Sequence, residues 1–201
     1  MADYAFAHPL YSAIIAHMNV LIKPRMTVDQ FLTWAQGRPG RYELLRGEVF
    51  SMAPETTGHA DVKGAIYAAL RDTIRREQLA CHVLPDGVTV RIDGNTAYEP
   101  DVQVYRGEKL RGAALEVPNP VIIVEVLSPS TQRVDVSLKL AGYFKLPSVA
   151  HYLIVDPTQP SVIQHSRGTD DTILTRIVTS GVIVLDPPGL SLALSDIYEG
   201  A

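Results

Sequence analysis

The chain has a single cysteine, Cys81, among 201 residues. That excludes an intramolecular disulfide and a cysteine-rich zinc site, and it suits a reducing, cytoplasmic setting. No stretch approaches the roughly 18 consecutive apolar residues that a membrane-spanning helix needs. A cleaved signal peptide is not expected: Asp3 is the first charge, and His8, Pro9 and His17 interrupt the early apolar residues. Basic excess is also missing, with 18 Lys and Arg against 22 Asp and Glu and a net charge of −4. This counts against a broad, sequence-independent DNA-binding surface. It is not decisive, because acids gathered at a metal site add negative charge that a cation offsets. Arg71, Arg75 and Arg76 could still form a local basic patch. There is no glycine-rich phosphate loop and no G-x-S-x-G, so Ser128 and Ser130 are poor nucleophile candidates. The six histidines are scattered without ligand spacing.

What is present is an apolar run, VIIVEVL from Val121, carrying one acid, Glu125. The run is short and β-branched, as in a strand buried on both faces. A carboxylate there is costly unless it is paired or binds a metal. Ser128 to Thr131 break the strand, and a helix expected over 134–145 holds Asp135 and Lys139. Upstream lie Asp101 in EPDVQVY and Glu43 in RYELLRGEV.

The remaining elements follow in order. Leu10, Ile14, Met18 and Leu21 fall at helical spacing, so residues 1–25 read as an appendage that is helical in part. A domain over 26–201 follows. Thr27 and Gln30 have the spacing of a capping box before a helix. Strands are expected over 42–45 and 48–52 around Arg46-Gly47, and the longest helix over 59–79. Further strands are expected over 82–84, 88–92, 101–105, 150–155, 161–165, 172–178 and 182–185, then a closing segment over 190–197. This order implies an α/β (α+β) fold with a mixed sheet and helices on its faces.

Three acids and a lysine near strand ends suit a hard divalent cation used to cut phosphodiesters. Asp101 and Glu125 would hold it, the Val126 carbonyl would add a ligand, and Glu43 would complete or extend the shell. Lys139 would orient water or offset developing charge. Each residue also has a plainer explanation. Glu125 could pair with a buried Arg or His, and Asp101 could be a turn residue after Pro100. Glu43 could be an exposed strand residue paired with Arg46 or Arg41. Lys139 could pair with Asp135 one helical turn away, and His59 could simply begin a helix.

The segments YELLRGEVFSMAPETTGHADV, EPDVQVY, VIIVEVLSPSTQRVDVSLKLAGYFKLPSVAHYLIVDP and SVIQHSR resemble the Uma2 family of the PD-(D/E)xK nuclease superfamily, over residues 26–200. The resemblance implies a restriction-endonuclease-like core, a central mixed sheet flanked by helices with an extra hairpin region, acting on DNA with Mg²⁺ (or Mn²⁺ in its place). By position, Pro100-Asp101 is the PD pair and Glu125 the second acid. The motif lysine would fall at Leu127; here Lys139 on the following helix matches it. Glu43 matches the early acid, and His59 and Asp135 match recurrent positions. A homodimeric endonuclease is the expectation. A non-catalytic DNA-binding or assembly module that keeps the fold is the alternative.

Overall fold

A computed structural model describes residues 25–128 and 136–198. The amphipathic pattern over 10–21 and the auxiliary candidate Asp135 lie outside the described residues.

Helix α1 (Val28–Ala35) begins as its sequence dictates. The Thr27 hydroxyl accepts from the Gln30 N–H at 3.3 Å, and the Gln30 side chain accepts from the Thr27 N–H at 2.9 Å. Val28 and Phe31 then pack on Leu44 and Ala97. Strands β1 (Tyr42–Leu45) and β2 (Glu48–Ser51) form a hairpin whose turn residues, Arg46 and Gly47, both have positive φ, as a tight two-residue turn requires. A side chain at position 47 would also collide with Arg25.

This hairpin belongs to a four-stranded sheet of order β2-β1-β5-β4, completed by β4 (Val90–Asp93) and β5 (Thr96–Tyr98). Strand β5 was not expected. Three residues are too few to show a period, and Thr96–Tyr98 is a strand because β1 and β4 flank it.

Helix α2 (Thr57–Arg76) starts two residues before the expected point, with Thr56 as its N-cap. The larger sheet has the order β10-β9-β8-β7-β6-β3. Its strands are β3 (Cys81–Pro85), β6 (Val102–Arg106), β7 (Pro120–Val126), β8 (His151–Val155), β9 (Val162–Arg167) and β10 (Ile173–Val178). Only β7 and β8 run parallel, joined through α3 (Val136–Tyr143); the other neighbours are antiparallel. The sheet is therefore mixed, with helices on its faces. Ile122, Val124 and Val126 of β7 meet Val62, Ile66 and Leu70 of α2. The pair β11 (Val182–Leu185) and β12 (Leu190–Ala193), with α4 (Leu194–Tyr198), packs on this same side. Ile123 on the other face meets Tyr143 of α3 and Val90, Ile92 and Tyr98 of the smaller sheet. Both faces of β7 are covered, so all seven of its residues are buried. Among the described residues no helix is long and apolar enough to cross a membrane.

Candidate metal centre

Glu125 projects from β7 toward α3, on the face opposite Val124 and Val126. Lys139 and Tyr143 are four residues apart on α3 and so share a helical face. Lys139 Nζ donates to Glu125 Oε1 at 2.8 Å, and the Tyr143 hydroxyl donates to the same oxygen at 2.7 Å. Lys139 also donates to Glu43 Oε1 at 2.8 Å, which accepts the Glu99 N–H at 3.0 Å as well. The four side chains form one buried cluster. Gly142 permits it: a Cβ there would sit 2.8 Å from the Tyr98 ring, so only glycine lets α3 approach so closely.

Glu43 is therefore not the exposed hairpin residue that its local sequence suggests, and the described partners of Lys139 are Glu43 and Glu125. The alternation of β1 leaves Glu43 and Leu44 both buried, because one is covered by α3 and the other by α1.

Asp101 precedes β6, whose Val102 lies opposite Val124 of β7. This register sets the Asp101 carboxylate beside the end of β7, where it accepts the Val126 N–H at 2.8 Å. His59, in the first turn of α2, places Nε2 3.0 Å from the Val126 carbonyl and 3.5 Å from Asp101 Oδ2. The carbonyl expected to bind metal thus accepts from His59 here. Glu55 approaches the other ring nitrogen at 3.5 Å. One ligand atom each from Glu55, His59 and Asp101 lie within 4.8 Å of one another.

Around this trio runs a network of charge. Arg41 reaches Glu99 at 2.6 Å, Asp86 at 2.8 Å and Glu55, and its other nitrogen lies 3.8 Å from Asp101. Lys63 bridges Glu55 at 2.6 Å and Asp86 at 2.9 Å. Arg41, Glu43, Glu55, His59, Asp101 and Glu125 line one cleft with a cavity of about 80 Å³. At roughly 30 Å³ per water, that admits a cation with a small hydration shell.

The electrostatics divide the two carboxylates. Burial pushes Glu125 up to about 7, and Glu43 and Asp101 push the same way while Lys139 opposes them. For Lys139, burial works to lower the pKa, but Glu125 and Glu43 outweigh it and the ammonium stays charged. Asp101 is also penalised by burial, yet His59, the Val126 N–H and Arg41 outweigh that and hold it below the usual carboxylate range. The Asp101 hydrogen bond in turn raises His59.

The fold thus joins Glu43, Glu125 and Lys139 in one cluster and sets Asp101, with His59 and the Val126 carbonyl, in an adjoining one; among the described residues the trio close enough to share one ion is Glu55, His59 and Asp101, without Glu125. Sequence reasoning missed Arg41, Glu55, Lys63, Asp86, Glu99 and Tyr143. Tyr143 had a signal, being one turn beyond Lys139, and so did Lys63, one turn beyond His59 on α2; the others come from loops and strand ends without periodic pattern.

The sequence profile of the Uma2 family, described as "Putative restriction endonuclease", matches residues 28–196. The chain belongs to the Uma2 family. An uncharacterized protein of Synechocystis sp. is 25% identical over 197 residues, covering 93% of this chain and 98% of that protein. A crystal structure from Anabaena variabilis, described as "a putative nuclease belonging to DUF820", superimposes with a TM-score of 0.68 at 14% identity, over 87% of this chain and 98% of that one. The shared fold is nuclease-like, and a Uma2 chain described in these terms implies a divalent cation. The cleft suits one. Among the described residues, six carboxylates (Glu43, Glu55, Asp86, Glu99, Asp101, Glu125) pair with three permanent cations, Arg41, Lys63 and Lys139. His59 Nδ1 is buried and, among the described residues, has no hydrogen-bond partner, with the Glu55 carboxylate 3.5 Å away. Oxygen donors with one imidazole match a hard divalent cation better than a softer metal.

Proposed function

We propose that this chain is a divalent-metal-dependent endonuclease that hydrolyses DNA phosphodiester bonds. The observation that carries the reading is the buried Lys139 ammonium clamped between Glu43 and Glu125, beside the Asp101–His59 pair. Packing alone does not account for it, because taking these charges out of water costs several kcal/mol per ion.

Asp101 and Glu125 would hold Mg²⁺ or Mn²⁺, with the Val126 carbonyl, His59 and Glu43 completing or extending the shell. When bound, the cation would acidify a water and offset charge on the phosphate. The chain's own residues do the positioning. Lys139 cannot swing, because two carboxylates fix its ammonium, so it presents its charge in one direction. Tyr143 fixes Glu125 Oε1, and Glu43 keeps Lys139 in place. A cation held by His59 would require the neutral imidazole, with one ring nitrogen free of its proton.

Supercoiled plasmid with Mg²⁺ or Mn²⁺ tests this. Nicking is expected, and Asp101→Asn or Glu125→Gln should reduce it about 100-fold or more while the circular dichroism spectrum is unchanged. Full-rate nicking by both variants would remove the assignment. The homodimer, which would bring two clefts to a duplex, is tested by light scattering.

A second reading, a non-catalytic DNA-binding or assembly module, is favoured by one observation. Arg41 and His59 already face Asp101, so part of the acidic charge is compensated internally. No heat on titrating either cation, together with no nicking, would select it.

A further inference from the structure

A second cavity, of about 790 Å³, opens at the opposite end of the large sheet, on the opposite face. Glu125 lies beside Ile154, near the end of β8, and faces α3; His151 lies beside Ile122 at the start of β8. His151 shares its strand face with Leu153 and Val155, on the β11–β12 side. The two sites do not share a residue.

The floor of this cavity contains two polar side chains that are more than nine-tenths buried, His151 and Gln164. His151 Nδ1 is 3.0 Å from the Ser166 hydroxyl, and the ring also lies against the Asp186 and Pro187 backbone, with no well-formed hydrogen bond from Nε2 among the described residues. Gln164 donates through Nε2 to the Val184 carbonyl at 2.9 Å, which orients its Oε1 as an acceptor; that oxygen also has no partner. Buried polar atoms left unpaired cost about 1–3 kcal/mol each, so folded proteins supply them with a partner.

The rim is cationic. Arg167 is held by three backbone carbonyls, those of Phe144, Leu146 and Val149, at 2.8–3.0 Å, so its charge is fixed without a carboxylate. Arg176 is exposed and has no ion-pair partner among the described residues, and Arg106 lines the same space. Among the described residues Asp186 is the one acid lining the cavity. Val121, Pro147 and Val184 give apolar walls. The volume lies within the range of small-molecule sites.

We infer that this cavity binds a nucleoside monophosphate, its phosphate held by Arg176 and an N–H of its base donated to Gln164 Oε1, which lies opposite Arg176 on the neighbouring strand. A phosphate alone would leave the floor unpaired, and a neutral base alone would leave Arg176 unused. The site is independent of the proposed nuclease activity.

Calorimetry of the full chain with the four deoxynucleoside 5′-monophosphates, in EDTA, tests the assignment; without a divalent cation the carboxylate cleft repels phosphate. At least one monophosphate should bind about tenfold or more tightly than either inorganic phosphate or its own deoxynucleoside. Arg176→Ala should weaken both the monophosphate and inorganic phosphate. Gln164→Leu, checked for folding by circular dichroism, should weaken the monophosphate by about tenfold and leave inorganic phosphate unchanged. In ¹⁵N-labelled protein the His151 ring resonances should move on binding. No binding at millimolar monophosphate, or binding indifferent to both substitutions, would overturn the inference.

Discussion

Two groups of charge lie side by side in this molecule, and water treats them differently. In the inner cluster, the Lys139 and Glu125 side chains are 6% and 7% exposed. In the outer network, Arg41 and Glu55 are 24% and 25% exposed. The chemistry of the pairs is the same, but the energetics are not. Outer pairs gain little, commonly up to about 1 kcal/mol, and salt screens them. Inner pairs lose hydration that their attraction barely repays, and apolar residues of similar volume would serve stability as well or better. Orientation of loops around the cleft accounts for most of the outer network, Glu55 apart, whose carboxylate also lies with His59 and Asp101. The inner cluster needs a further explanation, and holding a cation and a fixed ammonium supplies it.

The sharpest way to break this comparison is to remove the inner cation. Lys139→Met strands Glu43 and Glu125 in a dry site and should cost about 3–5 kcal/mol in urea unfolding. Adding Glu125→Gln to it should recover part of that loss. A cost below about 1 kcal/mol would make the two groups alike.

Binding of Mg²⁺ or Mn²⁺ should replace what burial costs the carboxylates. At 100 times its dissociation constant the cation should add about 2.7 kcal/mol to stability, and Glu125→Gln should remove most of the gain.

The pH dependence follows from the same burial. Glu125 holds its proton more tightly in the folded chain, up to about 7, than in the unfolded chain near 4.5. Its contribution is complete below the unfolded value and is lost as pH rises through the folded one. In EDTA, stability should therefore fall between about pH 4.5 and 7, by at most roughly 1.4 kcal/mol per pH unit. Unfolding of the Glu125→Gln variant should lack this slope.

The smallest effect belongs to the outer network. Lys63→Ala should cost about 1 kcal/mol or less, and the difference from the parent should shrink in high salt. A salt-independent loss as large as that of Lys139→Met would place Lys63 in the inner class.

How far each group could be foreseen differs for the same reason. Glu125 was legible because its strand is short, apolar and covered on both sides, so one acid in it stands out. Asp101 followed from its place beside Pro100 and from the family resemblance. The capping box of α1 and the Arg46-Gly47 turn were legible because their partners lie within a few residues. Glu43 was legible as a candidate but not as a buried one, since nothing in YELL says that α3 will cover it. Glu55, Asp86 and Glu99 gave no signal, and Arg41 and Lys63 gave none for the partners they take, because these meet only once two sheets and α2 have been assembled.

What the sequence by itself determined is local: a dry strand carrying an acid, a capped helix, a tight hairpin, each specified by backbone preferences and hydrophobic period over a few residues. Only the tertiary structure decided which charges meet. Lys139 finds Glu43 across 96 positions and Arg41 finds Glu99 across 58. Coulomb attraction depends on distance through space and on how much water has been displaced, and neither is written in the spacing along the chain.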